Sequence, residues 1–345
     1  GQRMKGFKSY TRLNEADTQA STDAEDLFVD LWNFFTGYGK GMSKDEFLDT
    51  PWNADPHLNK AYGYFKKYGG VEVAPSNRTK LRLPADEAEV SDLFYDLGQT
   101  LLSKGSGWGS SPNAQPAGKS APKVSKFWNR MTGKGKDTSK ADIIIGGQGI
   151  SVKNGGGARL MSGVESEAKA TIMTAATLSK ADEKIQAELN NLLEGFTEPL
   201  IVQQAEIPGL EDTAPTLGAF KKIIADPKLR RQLNDKNKRA MREYNKGDKL
   251  RTGAQDILKK HFSDADSEFA RAWAWEAGAG PEKFSGKIMG EGAGDPTGEA
   301  LWMFAFSPDL KNISIEKIDS MSSPALSKIA SQTKIRFDFK SNRRK

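Results

Sequence analysis

Two hydrophobic patterns divide this chain: amphipathic stretches with helical spacing, and short runs in which apolar and polar positions alternate. The clearest alternation is at residues 142–153. Asp142 opens the apolar run Ile143, Ile144, Ile145; Gly146, Gly147 and Gly149 allow a reversal; Ile150-Ser151-Val152-Lys153 then points in and out by turns. This predicts a β-hairpin with a loop of about four residues, holding a carboxylate and an ammonium side by side at one end of a sheet. Upstream, Leu27, Leu31, Phe34 and Phe35 share one face of an amphipathic helix whose early acids suit a helix N-terminus. Ser43 with Glu46 reads as a capping box, and Asp55-Pro56 starts a further helix that Gly69 and Gly70 end. Residues Lys80 to Leu83 read as a strand. Beyond Pro84, Val90, Leu93, Phe94, Leu97 and Leu101 recur at helical spacing and predict the first core helix.

Residues 103–122 are rich in Gly, Ser and Pro and predict a flexible loop. Residues 123–131 fit a helix or a first core strand equally. After the hairpin come two helical stretches, the first with Ile172, Met173 and Ala176 turned inward, and then a strand-like run from Pro199 to Val202. From Lys221 to Lys260 there are 14 Lys and Arg against 5 acids, a local net of +9. The C-terminal part carries three strand-like runs, GEALWMFAF, NISIEKI and KIRFDFK, that extend the sheet or pack near it, with Trp273 and Trp275 as packing residues. Lys334, Arg336 and Lys340 on the last run make a charged edge of the kind that resists aggregation. The resulting division is a flexible arm over 1–22, a helical region over 23–83, a core over 84–210 containing the loop, a basic helical segment over 211–265 and a β-rich extension of the core over 266–345.

Composition narrows the chemistry. The 345 residues include no Cys and two His, His57 and His261, which removes thiolate catalysis, thiolate metal sites and His-rich metal sites and leaves carboxylates and Lys. A net charge of +6 favours a polyanionic partner, and the basic segment suits a duplex backbone, with Arg230, Arg231, Lys238, Arg239 and Arg242 on phosphates. Gly155, Gly156 and Gly157 with Arg159 would let backbone amides come close to a phosphate. No long apolar run and no signal-peptide pattern occurs, so the expected location is the cytoplasm, with no membrane partner.

Phosphodiester hydrolysis without a covalent nucleophile calls for a hard divalent cation on carboxylate oxygens and a cationic group to orient water. Asp142 and Lys153 supply one of each. At these residues the chain resembles the PD-(D/E)xK nuclease superfamily, whose motif is an Asp, a hairpin, and an acid two positions before a Lys. Here that position is Ser151. The stretch TSKADI…ISVKNGGGARLMSG…EA also resembles a group of phage-encoded nuclease-like proteins. The resemblance covers residues 132–170. It implies an α/β (α+β) fold with a restriction-endonuclease-like core: a mixed sheet flanked by helices, here with helical N-terminal and basic helical C-terminal additions. It implies Mg²⁺, with Mn²⁺ as substitute, held by Asp142, the Val152 carbonyl and a glutamate moved to the following helix. Glu167 is the first choice for that glutamate and Glu165 the fallback. It also implies an extra acid from a core helix, for which Glu89 or Glu87 is placed, and a homodimer that cuts both strands.

Two functions follow as expectations. One is a metal-dependent DNA endonuclease, phage- or mobile-element-encoded and working in a bacterial host. The other, kept open by Ser151, is a non-catalytic DNA-binding or virion-associated protein on the same scaffold.

Overall fold

The computed structural model describes residues 22–71, 81–118, 121–154, 161–163, 165–180, 200–204, 226–231, 267–331 and 336–339, with single positions 187 and 256. The chain divides into two compact units, the first built from Gly1–Pro122, Thr138–Gly156 and Thr297–Asp319, the second from Lys123–Asp137, Gly157–Pro296 and Ser320–Lys345.

The first unit is a mixed sheet flanked by helices. Helix α1 spans residues 22–36, and its apolar stripe Leu27, Phe28, Leu31, Phe34 and Phe35 is fully buried. Helix α2 (Lys44–Leu48) begins with the capping box read from the sequence, Ser43 and Glu46 each holding the other's backbone N–H. Helix α3 (Pro56–Tyr68) starts on the Asp55 side chain, which accepts from the N–H groups of His57 and Leu58. Helix α4 (Glu87–Lys104) buries Val90, Phe94, Leu97 and Leu101, as its spacing predicts. The expected strand before it reduces to a single bridge between Leu83 and Gly69, with Lys80 outside the described residues.

Five strands make the sheet: β1 (Gln115–Pro116), β2 (Ile143–Ile145), β3 (Gln148–Asn154), β6 (Trp302–Phe306) and β7 (Ile313–Lys317), in the order β1-β2-β3-β6-β7. All neighbours are antiparallel except β3 and β6, which run parallel with Val152 opposite Phe304. A parallel pair cannot be joined by a tight turn, and here the chain leaves β3 at Asn154 and returns at Trp302 after passing through most of the second unit. Ile143, Ile145, Ile150, Val152, Phe304 and Phe306 share one core with α1 and α4. The Phe28 ring meets Phe304 at 4.5 Å and Phe306 at 5.0 Å, both edge-on.

The hairpin turn is tighter than the sequence reading. Gly146 and Gly147, with φ of 59° and 75°, make a two-residue turn, so Ile143 pairs with Ile150. A Cβ on Gly146 would lie 2.0 Å from the Trp108 carbonyl oxygen, which excludes any side chain there.

The segment expected as a flexible loop is instead part of this architecture over most of its length. Trp108 is buried with its ring 5.5 Å from Trp32 and 5.7 Å from Trp302, and Gln115–Pro116 forms the edge strand β1. Asn33 on α1 clamps Ala114 at both ends: its Nδ2 donates to the Ala114 carbonyl and its Oδ1 accepts the Ala114 N–H, each at 2.9 Å. Gly, Ser and Pro permit the turns, while one buried tryptophan and one amide clamp supply the order that composition lacks.

The second unit has its own sheet, β4 (Met161–Gly163), β5 (Leu200–Gln204) and β8 (Arg336–Phe339), all antiparallel. The three late strand-like runs are thus split: two extend the first unit's sheet and the last pairs with β5. Helix α5 (Lys126–Thr132) settles the ambiguous stretch before the hairpin. Helix α6 (Glu165–Leu178) packs on the helix Glu268–Ala279; both carry buried alanines, Ala168, Ala170, Ala175 and Ala176 on one and Ala270, Ala272, Ala274 and Ala277 on the other, which permits close approach. Trp273 and Trp275 are buried packing residues. Among the described residues no helix is long and apolar enough to cross a membrane.

Candidate functional site

Asp142 stands one residue before β2, with its backbone tied on both sides. Its N–H donates to the Ile150 carbonyl at 2.9 Å, and its own carbonyl accepts from Ala117 at 2.9 Å. Because β2 proper begins at Ile143, the β2 side of β3 has no strand partner opposite Val152. The Asp142 side chain takes that place: Oδ2 accepts the Val152 N–H at 2.7 Å and lies 3.4 Å from the Ser151 hydroxyl, which donates to it. Oδ1 takes no protein partner among the described residues. The N–H and C=O of one strand residue point to the same side, so the Val152 carbonyl faces the Asp142 side as well. Ser151 and Lys153, two apart on β3, share the other orientation, and Lys153 has no ion-pair partner among the described residues.

A third group belongs here that sequence reasoning did not single out. Glu25, in the first turns of α1 and partly buried, has its carboxyl pushed up to about 8. Burial is the largest cause, the negative charge of Asp142 the next, and the Lys153 ammonium acts in the opposite direction. Glu25 therefore sits in the field of both hairpin residues and keeps its proton at neutral pH. The sequence does hold a trace of this. Asp23, Asp26 and Asp30 recur at helical spacing along one side of α1, and Glu25 is out of phase with them.

The row of aspartates faces α3. Asp23 accepts from Lys67 and from the Tyr68 hydroxyl, and Asp30 lies 2.9 Å from Nδ1 of His57. Burial raises Asp26 and Asp30, with neighbouring aspartates adding to it for Asp26, while the His57 hydrogen bond draws Asp30 back down. Asp23 and Asp30 are engaged in packing against α3, and Glu25 is the acid of α1 whose proton affinity responds to Asp142 and Lys153.

Glu167 lies in the second unit. Its Oε1 is 2.8 Å from the Lys134 ammonium, and Lys134 also lies 3.6 Å from Asp137, which in turn lies 3.2 Å from the buried Lys283. The proton affinity of Lys134 is raised chiefly by the hydrogen bond its ammonium donates to Glu167. Glu165 is the first residue of α6, with its side chain outside the described residues. Glu89 is exposed on the first turn of α4, its N–H capped by Asp86, and Glu87 accepts from the Trp52 indole. Arg231 is exposed at the end of the short helix Pro227–Arg231; the Arg230 side chain, Arg159, Lys238, Arg239 and Arg242 lie outside the described residues.

Among the described residues no three His, Cys, Asp or Glu side chains gather as a metal cage. Mg²⁺ keeps several of its waters and needs only one or two carboxylates. The open Oδ1 of Asp142, the Val152 carbonyl on the same side and the nearby Glu25 carboxyl are hard oxygen donors of the right type, and with Lys153 they suit an anionic substrate. The chain matches no protein-family model, no curated protein and no solved structure.

Proposed function

We propose that the chain is a metal-dependent DNA endonuclease, phage- or mobile-element-encoded and acting in a bacterial host, on the restriction-endonuclease-like plan that the hairpin motif resembles. The observation that carries this reading is the Asp142 carboxylate, hydrogen-bonded to the Val152 N–H through Oδ2 and with no partner on Oδ1 among the described residues, two positions across from Lys153 and within the electrostatic field that Glu25 feels.

Mg²⁺, held by Asp142, the Val152 carbonyl and Glu25 in its ionised form, would supply Lewis-acid polarisation of the phosphate. The chain's own groups do the rest. Lys153 places a positive charge where the phosphodiester is most negative and orients the attacking water. As the water oxygen bonds to phosphorus the bond to the 3′ oxygen breaks, the water proton passes to solvent, and the leaving oxygen needs a proton. Solvent water supplies it, because Glu25 as an ionised metal ligand has no proton to give. In this reading Glu25 holds the metal in the role that the resemblance implies for Glu167, whose carboxylate pairs with Lys134.

The test is plasmid nicking by the purified chain in Mg²⁺, Mn²⁺ or EDTA. Cleavage that needs the metal and disappears in Lys153→Ala and Asp142→Asn supports the proposal. Binding without cutting under every condition supports a second reading, a DNA-binding or virion-associated protein on the same scaffold, which the hydroxyl of Ser151 in place of a carboxylate favours.

A further inference from the structure

Residues 285–294, SGKIMGEGAG, form a loop of the second unit that presents one apolar side chain to solvent. Ile288 is 66% exposed, more than any other large apolar residue described. A lone exposed isoleucine is ordinary in itself. What is unusual is the bracing beneath it. Glu282 is fully buried, and its carboxylate accepts the N–H of Ile288 through both oxygens, at 3.0 and 3.2 Å, and the N–H of Met289 at 2.7 Å. Buried Glu276 repeats the device one step back, accepting from the N–H groups of Glu282 at 3.0 Å and Lys283 at 2.9 Å. A buried carboxylate is costly unless it is hydrogen-bonded, and here two of them in series fix the backbone that carries Ile288.

The loop also closes tightly on itself. The Gly290 N–H donates to the Gly286 carbonyl at 3.2 Å, and a Cβ on Gly290 would fall 2.2 Å from the Gly286 Cα. Glu291 and Ala293 take left-handed φ of 49° and 68°, which side-chain-bearing residues adopt only when their surroundings impose it.

Charge is concentrated beside this tip. The Gly292 carbonyl accepts from the Lys126 N–H at 3.4 Å, and the Lys123 carbonyl from the Asp295 N–H at 2.8 Å, so the far end of the loop is tied to the start of α5. That places the exposed Lys123, Lys126 and Arg130 near it, with Lys136 bridged to Lys123 and Lys287 adjacent to Ile288 in the chain. Glu291, 3.4 Å from Arg130, offsets one of these charges. A partner protein's apolar groove would call for a broader apolar patch with fewer cations around it. A single rigid apolar point inside a basic rim fits a duplex nucleic acid, where an aliphatic wedge enters between base pairs from the minor groove while Lys and Arg hold the flanking phosphates.

We infer that Ile288 is a wedge that unstacks a base step of duplex DNA, with Lys123, Lys126, Arg130 and Lys136 on the phosphates beside it. This rests on DNA as the partner and not on cleavage, so it is tested in EDTA, where a failure to cut has no bearing. The full chain is titrated onto a short duplex carrying 2-aminopurine at a central step, and fluorescence and affinity are read together. The wild type raises the fluorescence on binding. Ile288→Ala loses the rise and binds about tenfold more weakly, while Ile288→Leu keeps both. Lys126→Ala with Lys136→Ala keeps the rise at saturation but lowers the salt slope by about two. The inference is overturned if the wild type does not bind the duplex, if it binds without a fluorescence rise, or if Ile288→Ala changes neither quantity. It is also overturned if Ile288→Ala turns a dimer into a monomer in sedimentation with DNA binding unchanged, which would make the tip a contact between copies of the chain. Ile288 is solvent-exposed, so a thermal melt of each variant should match the wild type and separates loss of binding from loss of fold.

Discussion

The Val152 N–H donates to Oδ2 of Asp142 at 2.7 Å, so the carboxylate assigned to catalysis also completes the hydrogen bonding of a sheet edge. Under the proposed function, one side chain serves the fold through one oxygen and leaves the other for the metal. This division can be separated by substitution.

Asp142→Asn keeps an oxygen that can accept the Val152 N–H but removes the charge. Cleavage should be abolished while the thermal midpoint stays close to wild type. Asp142→Ala leaves that N–H without its acceptor and should cost about 1–3 kcal/mol in addition. Denaturant unfolding of the two variants beside the nicking assay checks both; equal stability of the two would remove the structural half of the argument.

Glu25 should tie stability to pH. Its carboxyl lies at about 8 in the folded chain, against 4.5 for the free side chain. The folded state therefore binds the extra proton between those values, and the contribution of this group is fully present below pH 4.5, declines as pH rises through the window and is lost above pH 8. Glu25→Gln, which cannot ionise, should be more stable than wild type at pH 9 by roughly a few kcal/mol and show a flatter profile from pH 5 to 9. Asp26 and Asp30 are raised too and slope the same way, so the quantity to measure is the difference between the two proteins. Parallel profiles would mean that Glu25 is ionised in the fold.

Glu167→Gln removes an ion pair with Lys134 and should leave metal-dependent nicking within about threefold of wild type, with a stability loss of about 1 kcal/mol. Abolished cleavage with the fold intact would instead return Glu167 to the site. Ser151→Glu gives a complementary measurement. It sets a second carboxylate against Asp142 at a fully buried position, so its melting temperature should fall without metal and rise with millimolar Mg²⁺ by more than wild type does.

The two turn glycines should differ. Gly146→Ala combines a φ of 59° with a Cβ placed 2.0 Å from the Trp108 carbonyl oxygen, whereas Gly147→Ala has a φ of 75° and open space around it. Gly147→Ala should cost about 1 kcal/mol from backbone conformation alone, and Gly146→Ala several times that or failure to fold. Urea midpoints compare them, and equal costs would count against the close packing of Trp108 on the turn.

The strongest local patterns in the sequence were sufficient for the hairpin at 142–153, the capping box at Ser43 and the apolar stripe of α4. In each the instruction is carried by residues a few positions apart: strand alternation across a glycine pair, a reciprocal cap, a helical repeat. The hairpin reading set Asp142 beside Lys153 through a loop of about four residues; the two-residue turn instead sets Asp142 level with Ser151, with Lys153 two positions further along β3.

What only the tertiary structure decided depends on partners far apart in the chain. Asn33 orders Ala114 across 81 residues, which is why a Gly- and Ser-rich stretch becomes a strand. Lys134 engages Glu167 across 33 residues, a pairing that no local pattern announces. Glu25 looks like one more acid at a helix start until α1 packs on the sheet; there desolvation and the charge of Asp142 raise its proton affinity together. Burial and electrostatic fields are properties of assembled neighbours, so the hairpin could be read from residues 142–153 alone, while the raised proton affinity of Glu25 could be recognised only after folding.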